Sequence, residues 1–95
     1  MRDYELAFII RPTVDEEGVT GVVDQVTQHV QAVNGEVTSV DVWGRRVLAY
    51  PIEKHREGIY VLCQMKLPPA SVVDLERNLK LSEEIIRYLL VNVEA

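Results

Sequence analysis

Residues 36–67 read EVTSVDVWGRRVLAYPIEKHREGIYVLCQMKL. Two strand-like runs stand here back to back, with no helical segment between them, and that adjacency decides the fold. The first runs from about Glu36 to Ile52, and Gly44 within it is the expected site of a bulge. The stretch EKHREG (53–58) is expected as a polar turn. The second run follows from Ile59 to Leu67, where Ile59, Val61, Cys63, Met65 and Leu67 alternate with Tyr60, Leu62, Gln64 and Lys66. That is the period of a half-buried strand. Pro68-Pro69 stops it, because proline has no amide proton for a ladder.

Upstream, a first strand is expected from Arg2 to Arg11. Tyr4, Leu6, Phe8 and Ile10 form its core face, and Asp3, Glu5, Ala7, Ile9 and Arg11 the other. Pro12 ends it. Thr13 with Glu16 forms a capping-box pattern, and Val19, Val22, Val23, Val26, Val30 and Val33 then follow helical spacing. Gly18, Gly21 and the β-branched valines give this helix weak intrinsic propensity, so packing on a sheet has to stabilise it. Asn34-Gly35 is the stop signal. Downstream, Ser71 with Asp74 is expected to open a second helix carrying Val72, Leu75 and Leu79. A last strand is expected from Ile85 to Val93.

The order strand, helix, strand, strand, helix, strand predicts an α+β fold, the ferredoxin-like split βαβ sandwich (βαββαβ). Its four-stranded antiparallel sheet carries both helices on one face, leaves the other open, and puts the second and fourth strands at the edges. The fold hosts enzymes, metal carriers, regulatory domains and RNA binders, so it selects no function.

The 95 residues are expected to form one domain, 1–95, with a core modest but sufficient without staples. Composition is that of a soluble globular protein, at 47% hydrophobic and 26% charged. No apolar run approaches the roughly 20 residues that span a bilayer, and the N-terminus lacks a signal-peptide layout. One cysteine, Cys63, has no partner for an internal disulfide, so a cytoplasmic protein is the plain reading. No small-molecule substrate, cofactor or membrane is indicated.

Chemistry is sparse. His29 and His55 are far apart, and no Cys, His or acidic spacing suits a metal. Cys63 reads as a buried structural thiol, because nothing nearby would activate it. Ser71 reads as a cap. The glycines form neither a dinucleotide fingerprint nor a phosphate loop. The chain reads as a non-enzyme, and binding is what remains.

Net charge is −5, which argues against an autonomous nucleic-acid binder. The charge is uneven, however. Residues 14–33 carry Asp15, Glu16, Glu17 and Asp24 with no Lys or Arg, for −4. Residues 41–66 set Arg45, Arg46, Lys54, Arg56 and Lys66 against Asp41, Glu53 and Glu57, for +2. Arg45 and Arg46 admit two readings, a charged guard on an edge strand or a phosphate contact. Unbroken alternation would insert Arg46 into the row of Val40, Val42, Leu48 and Tyr50, whereas a bulge at Gly44 would re-aim it outward. Trp43 and Tyr50 read as covers of the core at the sheet margin. REGIYVLCQM (56–65) is weakly similar to the RNA-recognition motif's strand signature, but with too few exposed aromatics for broad base stacking. The open-face set Ala7, Ile9, Leu62, Leu89 and Val91 is apolar for a surface, which fits either ordinary scatter or a protein-docking patch.

MRDYELAFIIRP (1–12), WGRRVLAYPIEKHREGIYVL (43–62) and VVDLERNLKLSEEIIRYLLV (72–91) together resemble the bacterial small-subunit ribosomal protein S-six family. The tryptophan-glycine, basic pair, LAYPI, lysine and Gly-x-Tyr of the second block are the specific part. The resemblance implies a non-catalytic ferredoxin-like protein of the small subunit. It would bind central-domain ribosomal RNA (rRNA) as a heterodimer with ribosomal protein S-eighteen. A basic partner would account for RNA association by an acidic chain, and an apolar open face for the docking. The implied rRNA contacts are Arg2, Tyr4, Arg45, Arg46, Lys54 and Arg87. The docking candidates are Ile9, Tyr60, Leu62, Leu89 and Val91. Asp3 stands where some members carry a second basic residue. The chain stops at Ala95, where many carry a longer tail. The rival reading is a regulatory or interaction module of the same fold that self-associates through its open face without RNA. A metal-handling or acyl-phosphate enzyme is a third, weakened by the missing site residues.

Overall fold

Alternation along the first strand determines which face of the sheet can be covered. In the computed structural model, which describes residues 1–52 and 54–93, β1 (Arg2–Ile10) buries Tyr4, Leu6, Phe8 and Ile10. It lies inside the sheet, antiparallel to β3 (His55–Leu67) on one side and to β4 (Ile85–Asn92) on the other. β2 (Glu36–Ile52) pairs antiparallel with β3, giving the order β2-β3-β1-β4. The second and fourth strands are therefore the edges, as the ferredoxin-like reading requires. Helices α1 (Glu16–Ala32) and α2 (Val72–Leu81) contribute Val19, Val22, Val26, Val30, Leu75 and Leu79 to one core with the alternating residues of β1 and β3. Burying a side chain of this kind is worth about 1.5–3 kcal/mol, which is what holds the low-propensity α1 in helical form.

α2 starts where expected, at Ser71, but both helices are capped differently from expectation. Asp15, not Thr13, caps α1: its Oδ1 accepts from the Gly18 amide at 2.8 Å, and Glu16 and Glu17 fill the first turn. A carboxylate at this position satisfies a free amide and also complements the helix dipole. Ser71 is no side-chain cap. It ends a short 3₁₀ turn (Pro69–Ser71), and its hydroxyl donates to the Val33 carbonyl at 2.6 Å, tying the start of α2 to the end of α1. The stop at Asn34-Gly35 is as expected. Asn34 takes φ 68°, its amide donates to the Gln31 carbonyl at 3.1 Å, and the Gly35 amide donates to Val30 at 2.8 Å. That is the Schellman pattern, with asparagine in the left-handed position.

β3 begins at His55, not Ile59, so most of the expected polar turn is strand. Glu53 lies outside the described residues. β1 ends opposite Ile59, at Ile10, so His55–Gly58 and the matching part of β2 form an arm past the end of β1. Strand residues that lack a covering layer need no apolar alternation, and their polarity therefore imitated a turn. The other strand ends moved by one residue: β1 stops at Ile10 and β4 at Asn92.

Candidate RNA and partner interface

Trp43, like Thr38 before it, is a residue that β2 inserts. Val42 stands opposite Val61 and Gly44 opposite Tyr60, which leaves Trp43 without a counterpart. Gly44 takes φ +87°, a region that costs an ordinary residue roughly 1–2 kcal/mol and glycine almost nothing. One inserted residue reverses the faces of all that follow. Arg45 consequently stands opposite Ile59, on the helix side, while Arg46 stands opposite Gly58, on the open side with Tyr60. Arg45 Nη1 is 3.3 Å from Glu57 Oε2, and Arg46 Nη1 donates to the Arg45 carbonyl at 3.3 Å.

A third irregularity shapes the arm. Between the pairs Val47–Glu57 and Ile52–His55, β2 advances five residues and β3 two. Pro51, with no amide to give a ladder, falls within this excess. The surplus chain turns over the open face. Leu48 is 8% exposed yet stands outside the main core; it lines a hollow of about 180 Å³ with Ile9, Tyr50, Ile52, Tyr60 and Arg87. Gly58 allows the close approach at the base of the arm, because any side chain there would run into Ile9.

The expected contact residues do not all converge. Arg46, Lys54 and Arg87 belong to the arm end of the sheet. Arg46 lies opposite Gly58, exposed Lys54 sits at the hairpin tip with φ 70°, and exposed Arg87 lies on β4 opposite Ile9. Exposed Arg2, opposite Leu67, is at the far end, about 27 Å away along the strand at about 3.4 Å per residue. Tyr4 is a correction: it is 7% exposed within the core, so it has no ring to offer a base and anchors β1 instead. Trp43 and Tyr50 are corrected the other way. At 49% and 66% exposed they cover no core, and Trp43 Nε1 donates to Asp41 Oδ2 at 3.0 Å.

The docking candidates divide in two. Ile9 and Tyr60 are half-buried at the hollow with Leu48, while Leu89 and Val91 remain 64% and 45% exposed on the open side of β4. Leu62 is half-buried between them and β2, and Gln64 Nε2 donates to Glu5 Oε2 at 3.1 Å on the same face. Leu48 and Tyr50 were missed as a pair with the open face. Parity places both in the row of Val40 and Val42, and the residue inserted at Trp43 moves their part of that row to the open side.

Burial pushes the Cys63 thiol up to about 11, so it stays protonated and unreactive in the core. Among the described residues, no three Cys, His, Asp or Glu side chains gather as a metal would need.

This geometry has close counterparts. The family model described as Ribosomal protein S6 matches residues 3–92. The small ribosomal subunit protein bS6 of Moorella thermoacetica is 47% identical over 94 residues, covering 99% of this chain and 96% of its own. That of Dictyoglomus turgidum is 40% identical, covering 99% and 97%. The crystal structure of 30S ribosomal protein S6 from Thermotoga maritima superposes with a TM-score of 0.92 at 31% identity, over 97% of this chain and 87% of that one. The C-terminal domain of the MgtC protein from Mycobacterium tuberculosis, at 14% identity and a TM-score of 0.64, shares the fold alone. The chain belongs to the ribosomal protein S6 family, structural and non-enzymatic constituents of the small ribosomal subunit.

Proposed function

We propose that this chain binds small-subunit rRNA through the arm end of its sheet, jointly with ribosomal protein S-eighteen docked on the open face. One observation carries the reading. Arg46 and Arg87 are exposed and form no ion pair among the described residues. They share the open face with exposed Leu89 and Val91, in a chain whose net charge is −5. Arginines placed this way grip phosphates and set register, while RNA shape supplies selectivity. Lys54 adds a mobile charge at the tip, and Arg2 serves as a separate contact at the far end. Arg45, held by Glu57, acts mainly as the edge guard. The partner covers Leu62, Leu89 and Val91 and, being basic, supplies phosphate contacts that a chain of net charge −5 lacks.

Pull-down with purified S-eighteen, alone and then with a central-domain rRNA transcript over a salt series, tests this. RNA retention that requires the partner and falls as salt rises is the expected result. If neither partner nor RNA is retained and the chain elutes as a dimer, the open face serves self-association instead.

A further inference from the structure

The hollow under the β2 arm is built differently from the rest of the open face. It is bounded by two tyrosine rings, Tyr50 and Tyr60, by the buried Leu48 and half-buried Ile9 and Ile52, and by the guanidinium side chain of Arg87. Among the described residues no carboxylate stands on its lining and Arg87 has no ion-pair partner, whereas Arg45 and Arg77 each have one. At about 180 Å³ it is smaller than the roughly 300 Å³ at which sites for drug-sized ligands begin. It suits one planar group rather than a helix or an extended peptide. Apolar walls, aromatic faces and a single cation are what an unstacked base and its phosphate require. Proteins that recognise single-stranded RNA stack such bases on tyrosine and arginine planes.

We propose that this hollow takes one unpaired nucleotide of the RNA, its base against Tyr50 and Tyr60 and an adjoining phosphate on Arg87. The proposal rests on the RNA-binding reading above and adds the kind of nucleotide and the residues that hold it. It also divides the open face. Ile9 and Tyr60 serve RNA, leaving Leu62, Leu89 and Val91 to the protein partner. The insertion at Trp43 puts Leu48 and Tyr50 on the open side with Arg46, and the unmatched length of β2 between Val47 and Ile52 supplies residues of the lining.

The test compares the wild-type chain, Tyr50→Ala and Tyr50→Phe, each as the complex with S-eighteen, for binding to a central-domain rRNA transcript. Tyr50 is 66% exposed, so its truncation leaves the fold intact, which a melting curve checks. Loss of one stacked base predicts weakening by about 5- to 150-fold for Tyr50→Ala, with the salt slope and partner affinity unchanged and Tyr50→Phe near wild type. Wild-type binding with no loss in Tyr50→Ala overturns the nucleotide hollow but leaves RNA binding standing. A loss of partner affinity instead shows that a protein side chain fills the hollow, which also overturns it. Absence of RNA binding by the wild-type complex removes both the hollow and the reading beneath it.

Discussion

Arg45 Nη1 lies 3.3 Å from Glu57 Oε2 across the β2–β3 ladder. Its neighbour Arg46 faces the opposite side of the sheet and, among the described residues, has only a main-chain carbonyl as partner. Strand alternation puts the two arginines on opposite faces, and the inserted Trp43 decides that Arg46 is the one on the open side.

Arg45→Ala should therefore change little. The pair is about half exposed, and such pairs contribute about 0.2–1 kcal/mol. Arg46→Ala should leave the melting temperature unchanged, weaken rRNA binding at all sequences alike, and lower the salt slope by about 1. Filter binding over a salt series, beside thermal melts, separates the two arginines. Equal losses of RNA affinity would show that the faces do not divide their roles.

Leu89→Asp on β4 should abolish retention of S-eighteen. At 64% exposed, Leu89 contributes little to the isolated fold, so stability should shift by no more than about 0.5 kcal/mol. A charge at a partner's apolar contact is costly because it is desolvated without a counter-ion. Undiminished pull-down would exclude this part of the sheet from the interface.

Two glycines should respond in opposite directions. Gly21 lies within α1 with nothing close to where a side chain would stand, so Gly21→Ala should stabilise by about 1 kcal/mol. Gly44 also has open space around it but holds φ +87°, so Gly44→Ala should cost about 1–2 kcal/mol. Urea unfolding of both variants measures the contrast. Its absence would mean that the bulge at Trp43 is not maintained in solution.

Cys63 should resist alkylation at pH 8. Burial has moved its thiol up to about 11, so the thiolate is scarce well above the ordinary cysteine range. Raising the pH through the ordinary range toward 11 should destabilise the fold, because over that interval only the unfolded chain releases the proton. Rapid labelling under native conditions would indicate that β3 opens.

Much of the architecture could be read along the chain. Val19, Val22, Val26 and Val30 appear at helical spacing, and Tyr4, Leu6, Phe8 and Ile10 at strand spacing. Those periods reflect contact with a single core. The capping groups differ from the pattern because Thr13 and Ser71 both match a cap signature that competing groups win. Asp15 is the stronger acceptor for a free amide, and the Ser71 hydroxyl finds the Val33 carbonyl nearby in space. His55–Gly58 was misread because polarity marks exposure, and an uncovered hairpin arm is as exposed as a turn.

By itself, then, the sequence determined the order of elements, the sheet's core face, the edge position of β2 and β4 and the family, all of which follow from local periodicity and motif. Only the tertiary structure decided that Arg46 and Arg87 share a face while Arg2 stands at the far end. It alone brought Leu48 and Tyr50 to a hollow beside Arg87. The physical reason is register. Which side a residue of β2 takes depends on how many residues β3 sets against it, and that count exists only once the two strands have paired.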